Sequence, residues 1–132
     1  MDRSPIALFS VPSTLCPPVV AEIIRAGGNA ASFEADVSLD INAKGLIDFA
    51  VSEFGRIDVL VNNAGLAAGR PLIEIDADHV NTQTALNIAG VLFASKHATI
   101  AFGDAGGSII NISSHDRHSG RERTLVLHQI FT

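Results

Sequence analysis

Ile57-Asp58-Val59-Leu60-Val61-Asn62-Asn63-Ala64-Gly65 is the stretch on which the fold of this chain turns. Ile57 to Val61 is a continuous, β-branched run of the kind found in strands buried on both faces of a parallel sheet. It ends in Asn-Asn-Ala-Gly, a strand-ending turn whose glycine lets a flat ligand come close to the backbone. Working upstream, Leu46, Ala50 and Phe54 recur at every fourth position before Gly55, which predicts a helix with a glycine stop. The polar turn Ser38-Leu39-Asp40 is placed to cap that helix. Ala31 to Val37 reads as a strand with Asp36 at its carboxyl end. Pro17-Pro18 precedes a short helix over Val19 to Ala26, with Val20, Ile23 and Ile24 on one face and Gly27-Gly28 as the stop.

Downstream, a loop through Arg70 and Pro71 leads to a long helical stretch from about Asp76 to Phe102, interrupted in character by Asn81, Asn87 and Gly90. Gly103 to Gly107 breaks it. Ser108-Ile109-Ile110-Asn111-Ile112 is the last clear strand and delivers Ser113-Ser114 at its end. Strands alternating with helices across short, glycine-marked connections are the signature of βαβ units in an α/β domain. The two ends do not continue this logic: residues 1–18 offer one possible strand, Ile6 to Val11, and residues 115–132 show no clear period.

Composition fits one soluble globular domain spanning residues 1–132, with 47% hydrophobic and 17% charged residues. The net charge of −5 argues against electrostatic capture of nucleic acid or an anionic membrane. Residues 1–114 carry a net −6 and residues 115–132 a net +1, so the tail is a different kind of sequence. Lys96 and His97 interrupt the longest apolar run, Ala85 to Ala101, and no membrane span is expected. Pro12 breaks the faint outline of a secretory signal at the amino end, and the lone Cys16 fits a cytoplasmic location. Cys16 carries no signature of a catalytic thiol. His115, His118 and His128 lack the neighbours and spacing of a metal site, and none is expected.

In a parallel α/β sheet, ligands bind beyond the carboxyl ends of the strands. Three such ends carry polar residues: Asp36, the Asn62 to Gly65 turn, and Ser113-Ser114. Taken together, Asp36-Val37 after a strand, Phe54 to Gly65, Asn87-Ile88-Ala89-Gly90 and Gly107 to Ser114 resemble, in order and approximate spacing, the middle of a short-chain dehydrogenase/reductase. The resemblance covers about residues 19–114. It implies an incomplete Rossmann-like, doubly wound parallel sheet, NAD or NADP as cofactor, and interconversion of a small-molecule alcohol and carbonyl by hydride transfer. It also implies roles residue by residue. Asp36 and Val37 match positions lining the adenine ring, and Asn63, Ala64 and Gly65 match the turn that approaches the cofactor's ribose. Asn87 matches the asparagine that holds a water in the proton relay, and Ser114 the serine that hydrogen-bonds the substrate oxygen.

Other parts of the family's pattern are missing from the sequence. No glycine precedes Gly27, so there is no Gly-x-x-x-Gly-x-Gly to cradle a pyrophosphate. There is no tyrosine at all, and the only lysines are Lys44 and Lys96, so the Tyr-x-x-x-Lys pair that should follow Ser114 is absent. A positioned general acid supplies on the order of a hundred- to ten-thousandfold in rate. The expectation is therefore a truncated, inactive relative in which cofactor binding is itself in doubt. A second expectation is a non-catalytic protein that binds a nucleotide or pairs with a partner, as a homo- or hetero-oligomer. The 3-2-1-4-5 strand order of doubly wound sheets leaves a gap between the strand before Asp36 and the strand before Asn63. Unless Ile6 to Val11 fills part of it, strand edges and apolar faces are left exposed and the chain is marginally stable.

Overall fold

The computed structural model describes residues 6–9, 16–113 and 124–125. Strand β1 (Ile6–Phe9) and strand β2 (Ala30–Phe33) pair in parallel, Ile6 opposite Ala30, and helix α1 (Cys16–Arg25) packs on them. Of the expected strand Ile6 to Val11, Ile6–Phe9 thus lies beside β2, and the remainder falls outside the described residues. Helix α2 (Asp40–Phe54) buries Ala43, Leu46, Ile47 and Ala50, the i, i+3, i+4, i+7 stripe of an amphipathic helix. It ends at Gly55, whose φ of 81° is the left-handed cap that a glycine adopts without a Cβ clash. Phe49 stacks on Phe33 with ring centroids 4.9 Å apart, seating α2 against β2.

Strand β3 (Val59–Asn62) pairs in parallel with β5 (Ser108–Asn111), Val61 opposite Ile110. Between them run the two-residue strand β4 (Arg70–Pro71), helix α3 (Ala77–Thr84), a π-helical segment Ala85–Gly90 and helix α4 (Val91–Phe102). β4 pairs in antiparallel with β6 (Thr124–Leu125), so part of the aperiodic tail forms a strand. The core lies where α4 crosses α2 and β3: Ile47, Leu60, Ala94, Ala98 and Phe102 are buried together, with Ile57 and Ala101 against them. Small side chains at Ala43, Ala50, Ala94 and Ala98 let the two helices approach closely. The fold is of the α/β class with a partial Rossmann-like sheet, since β1–β2 and β3–β5 form separate two-stranded sheets.

Four expectations need correction. The strand expected over Ala31 to Val37 ends at Phe33, because Asp36 turns the chain: its Oδ1 accepts from the Ser38 amide at 3.0 Å and the Ser38 hydroxyl at 2.6 Å. With Ser38 so engaged, α2 starts without a side-chain cap, and its N-cap is Leu39. Strand β3 is buried on one face only. Leu60 and Asn62 turn toward α4, whereas Val59 and Val61 are each 51% exposed, beside half-exposed Ile110 and Ile112. Finally, the helical run Ala77–Ala105 is long and apolar enough, by length and composition, to cross a membrane despite Lys96 and His97. Here both of those side chains bend to Asp40 of α2, at 2.5 and 2.8 Å, while the opposite face of α4 fills the core.

Candidate functional site

Among the described residues, three loops leave the carboxyl ends of parallel strands, after β2, β3 and β5. The loop after β2 carries Asp36 and Val37. Asp36 is exposed, and both of its bonds fall on Oδ1; among the described residues none is placed on Oδ2. Val37 rests on the π segment: a Cβ on Gly90 would lie 3.3 Å from the Val37 carbonyl oxygen and 3.4 Å from its Cγ2, so the absence of a side chain at Gly90 permits the contact.

The loop after β3 carries Asn63, Ala64 and Gly65, all exposed, and is held immediately beyond them. Asn87, 2% exposed, bonds Leu66 twice: Oδ1 accepts from the Leu66 amide at 2.8 Å and Nδ2 donates to the Leu66 carbonyl at 2.9 Å. Two residues on, Gln83 Nε2 donates to the Ala68 carbonyl at 3.1 Å. Asn62, under the same loop, donates from Nδ2 to Asn111 at 2.9 Å and to the Ser95 hydroxyl at 3.1 Å. The loop after β5 runs from Ile112 through the exposed Ser113. Ser114 lies outside the described residues, as do His115, His118 and His128.

The structure therefore brings Val37, the Asn63–Gly65 turn and Asn87 to one rim around the π segment Ala85–Gly90. Asn87 has its amide directed at the loop backbone. Two buried residues, His79 and Gln83, were not singled out in the sequence. Their only signal there is spacing, since His79, Gln83 and Asn87 fall four residues apart on one helix face.

Nearby charges are set by hydrogen bonds. The Asp76 carboxylate caps α3, accepting from the His79 amide at 2.8 Å, and this bond, with Arg70 at 2.9 Å, holds its pKa below the ordinary value. Asp40 is likewise lowered, by Lys96 first and then His97.

The model of the family described as short chain dehydrogenase matches residues 6–126. The chain belongs to that family. It is 46% identical over 96 residues to an oxidoreductase of Methylorubrum extorquens described as uncharacterized, covering 73% of this chain and 38% of that protein. It is 34% identical over 123 residues to a diacetyl reductase, (S)-acetoin forming, of Staphylococcus epidermidis, covering 92% of this chain and 48% of that protein. Among solved structures, a metagenomic short-chain oxidoreductase in complex with NADP superposes with a TM-score of 0.78 at 31% identity, over 85% of this chain and 52% of that one. A short-chain type dehydrogenase/reductase from Mycobacterium marinum matches with a TM-score of 0.78 at 28% identity, over 83% of this chain and 44% of the other. The short-chain dehydrogenase stretch seen here thus spans about half the length or less of these relatives.

Proposed function

We propose that this chain carries the adenosine-side half of an NAD(P)-dependent alcohol/carbonyl oxidoreductase site, and that these 132 residues bind an adenine nucleotide without turning a substrate over. The observation that supports it best is the rim itself: Val37 seated on Gly90, and the Asn63–Gly65 turn anchored through Leu66 to Asn87. The residues present fit the adenosine end of such a cofactor. Asp36 offers Oδ2 to an exocyclic amino group, Val37 gives the ring an apolar wall, and Asn63, Ala64 and Gly65 present backbone to a ribose. They do not fit the pyrophosphate, for which the sequence holds no glycine-rich loop.

When bound in a complete site, a nicotinamide cofactor supplies the hydride that converts a carbonyl to an alcohol, and a proton must reach the oxygen. Ser114 would orient that oxygen by hydrogen bonding, and Asn87 would keep the loop facing the cofactor in place. Neither donates the proton at a useful rate without a tuned acid. The sequence has no phenol, and both lysines are engaged, Lys44 with Asp48 and Lys96 with Asp40.

Isothermal titration of the purified chain with AMP, NAD and NADP tests the binding half of this reading. Heat that saturates with AMP as well as with the dinucleotides is the expected result; no heat from a folded sample overturns it. Reduced cofactor with diacetyl or a 3-oxoacyl thioester tests the other half, and turnover abolished by Ser114→Ala would overturn the assignment as inactive. The half-exposed stripe Val59, Val61, Ile110 and Ile112 favours a second reading, association with a partner through that sheet face. A monomer at all concentrations in sedimentation, with no loss of solubility, argues against it.

A further inference from the structure

We propose that Gln83 is a positioning residue for the loop after β3, and that His79 fixes the orientation in which it works. The proposal rests on the nucleotide-binding reading, because the loop in question carries the Asn63–Gly65 turn. Gln83 is 1% exposed and Asn87 2%, one helical turn apart on the same face. Between them they hold the loop at Leu66 and at Ala68. Two anchors two residues apart fix the direction of the chain as well as its position, which the Asn87 contact at Leu66 by itself does not.

The orientation of the Gln83 amide follows from its surroundings. The Ala68 carbonyl, 3.1 Å away, can only accept, so the nitrogen of the amide must face it. The same Nε2 lies 2.6 Å from His79 Nε2. One of its two protons goes to Ala68 and the other to His79, so His79 Nε2 must be the accepting nitrogen. His79 is therefore the neutral tautomer that carries its proton on Nδ1. The imidazole, 9% exposed, prevents the amide from rotating away from the loop. His79 is itself fixed at the start of α3, where its amide donates to Asp76 Oδ1 at 2.8 Å. The chain of bonds from the Asp76 cap to Ala68 thus holds an exposed turn by means of two buried side chains, His79 and Gln83.

The test uses the whole chain, labelled with nitrogen-15. Imidazole nitrogen shifts at neutral pH should show Nε2 of His79 unprotonated; a protonated Nε2 overturns the proposal without any variant. Gln83→Met keeps the length and helix preference of the side chain and removes both donors. In that variant, exchange of the Leu66 amide with solvent should speed up about tenfold or more while that of Ala98, in the core, stays within about twofold. No change at Leu66, or equal acceleration at both, overturns it. AMP affinity should fall in parallel, and His79→Gln, which can still accept from the Gln83 amide through its side-chain oxygen, should retain most of the protection at Leu66. If the parent chain binds no AMP, the nucleotide reading falls, while the tautomer and exchange results still decide the role of Gln83.

Discussion

Asn62 and Asn111 face each other at the same register of two parallel strands, and the Nδ2 of one donates to the Oδ1 of the other at 2.9 Å. Asn62 is 8% exposed and sends its second donor to Ser95 of α4, so a single amide ties β3 to both its neighbour strand and its covering helix. Asn62→Ala strands two acceptors in a partly dry space. We expect a loss of about 1–3 kcal/mol in urea unfolding, and a smaller loss of about 1 kcal/mol for Ser95→Ala, which removes one partner only.

Two glycines predict different outcomes on substitution by alanine. Gly55 has a φ of 81° and open space where an added methyl would sit, so Gly55→Ala should cost about 1 kcal/mol through backbone conformation alone. A Cβ on Gly107 would lie 2.5 Å from the ring of Phe102, which is itself in the core. Gly107→Ala must push that ring aside, at a cost of about 1–3 kcal/mol. Pairing it with Phe102→Leu should recover part of this loss, and a double-mutant cycle measures how much.

The tie between α2 and α4 is acid-sensitive. The Asp40 carboxyl is held below its ordinary pKa by the Lys96 ammonium and by His97. A group whose pKa is lower in the folded state stabilises fully above its unfolded value, about 4, and loses that contribution as pH falls through the folded one. The melting temperature should drop between about pH 5 and pH 2, and Asp40→Asn should flatten that part of the profile. Asp76, lowered chiefly by its cap on the His79 amide, acts in the same window, so Asp76→Asn in addition should flatten it further.

The exposed face of β3–β5 is open to direct change. Val59→Thr and Ile110→Thr replace side chains that are 51% and 46% exposed with β-branched polar ones. The pair should raise the concentration at which the chain remains monomeric and leave urea unfolding within about 0.5 kcal/mol, since neither residue belongs to the core.

Much of this architecture is local and could be read from residues in order. Gly55 stops α2, Val59 to Asn62 form a strand, and Ser108 to Asn111 form another, because caps, β-branched runs and glycine breaks act within a few residues. The same holds for the end of β3, where the chain leaves the sheet after Asn62. What failed was decided by other parts of the molecule. Asp36 could equally extend a strand or bend back onto Ser38, and the bend prevailed. The apolar character of Val59 and Val61 says that the face can be covered, not that it is. His79 and Gln83 gained their meaning only when the loop through Ala68 came to lie over them.

The π segment sets the phase of the whole helical run. Each α-helical residue turns about 100°, so a stripe continued from His79 to Phe102 in an unbroken α-helix would drift by about 140°. A π turn closes its bond one residue later and takes back about 100° of that drift. As a result His79, Gln83 and Asn87, which hold the loop, and Ala94, Ala98 and Phe102, which fill the core, point the same way. Deleting one residue within Ala85–Gly90 would let regular α-helical winding resume with this alignment kept, because the π turn already accommodates one residue's rotation of about 100°. Regular winding at the full length would instead turn the loop-holding half by about 100° relative to the core half, so a gain in helical regularity without the deletion would disconnect the rim from the domain beneath it.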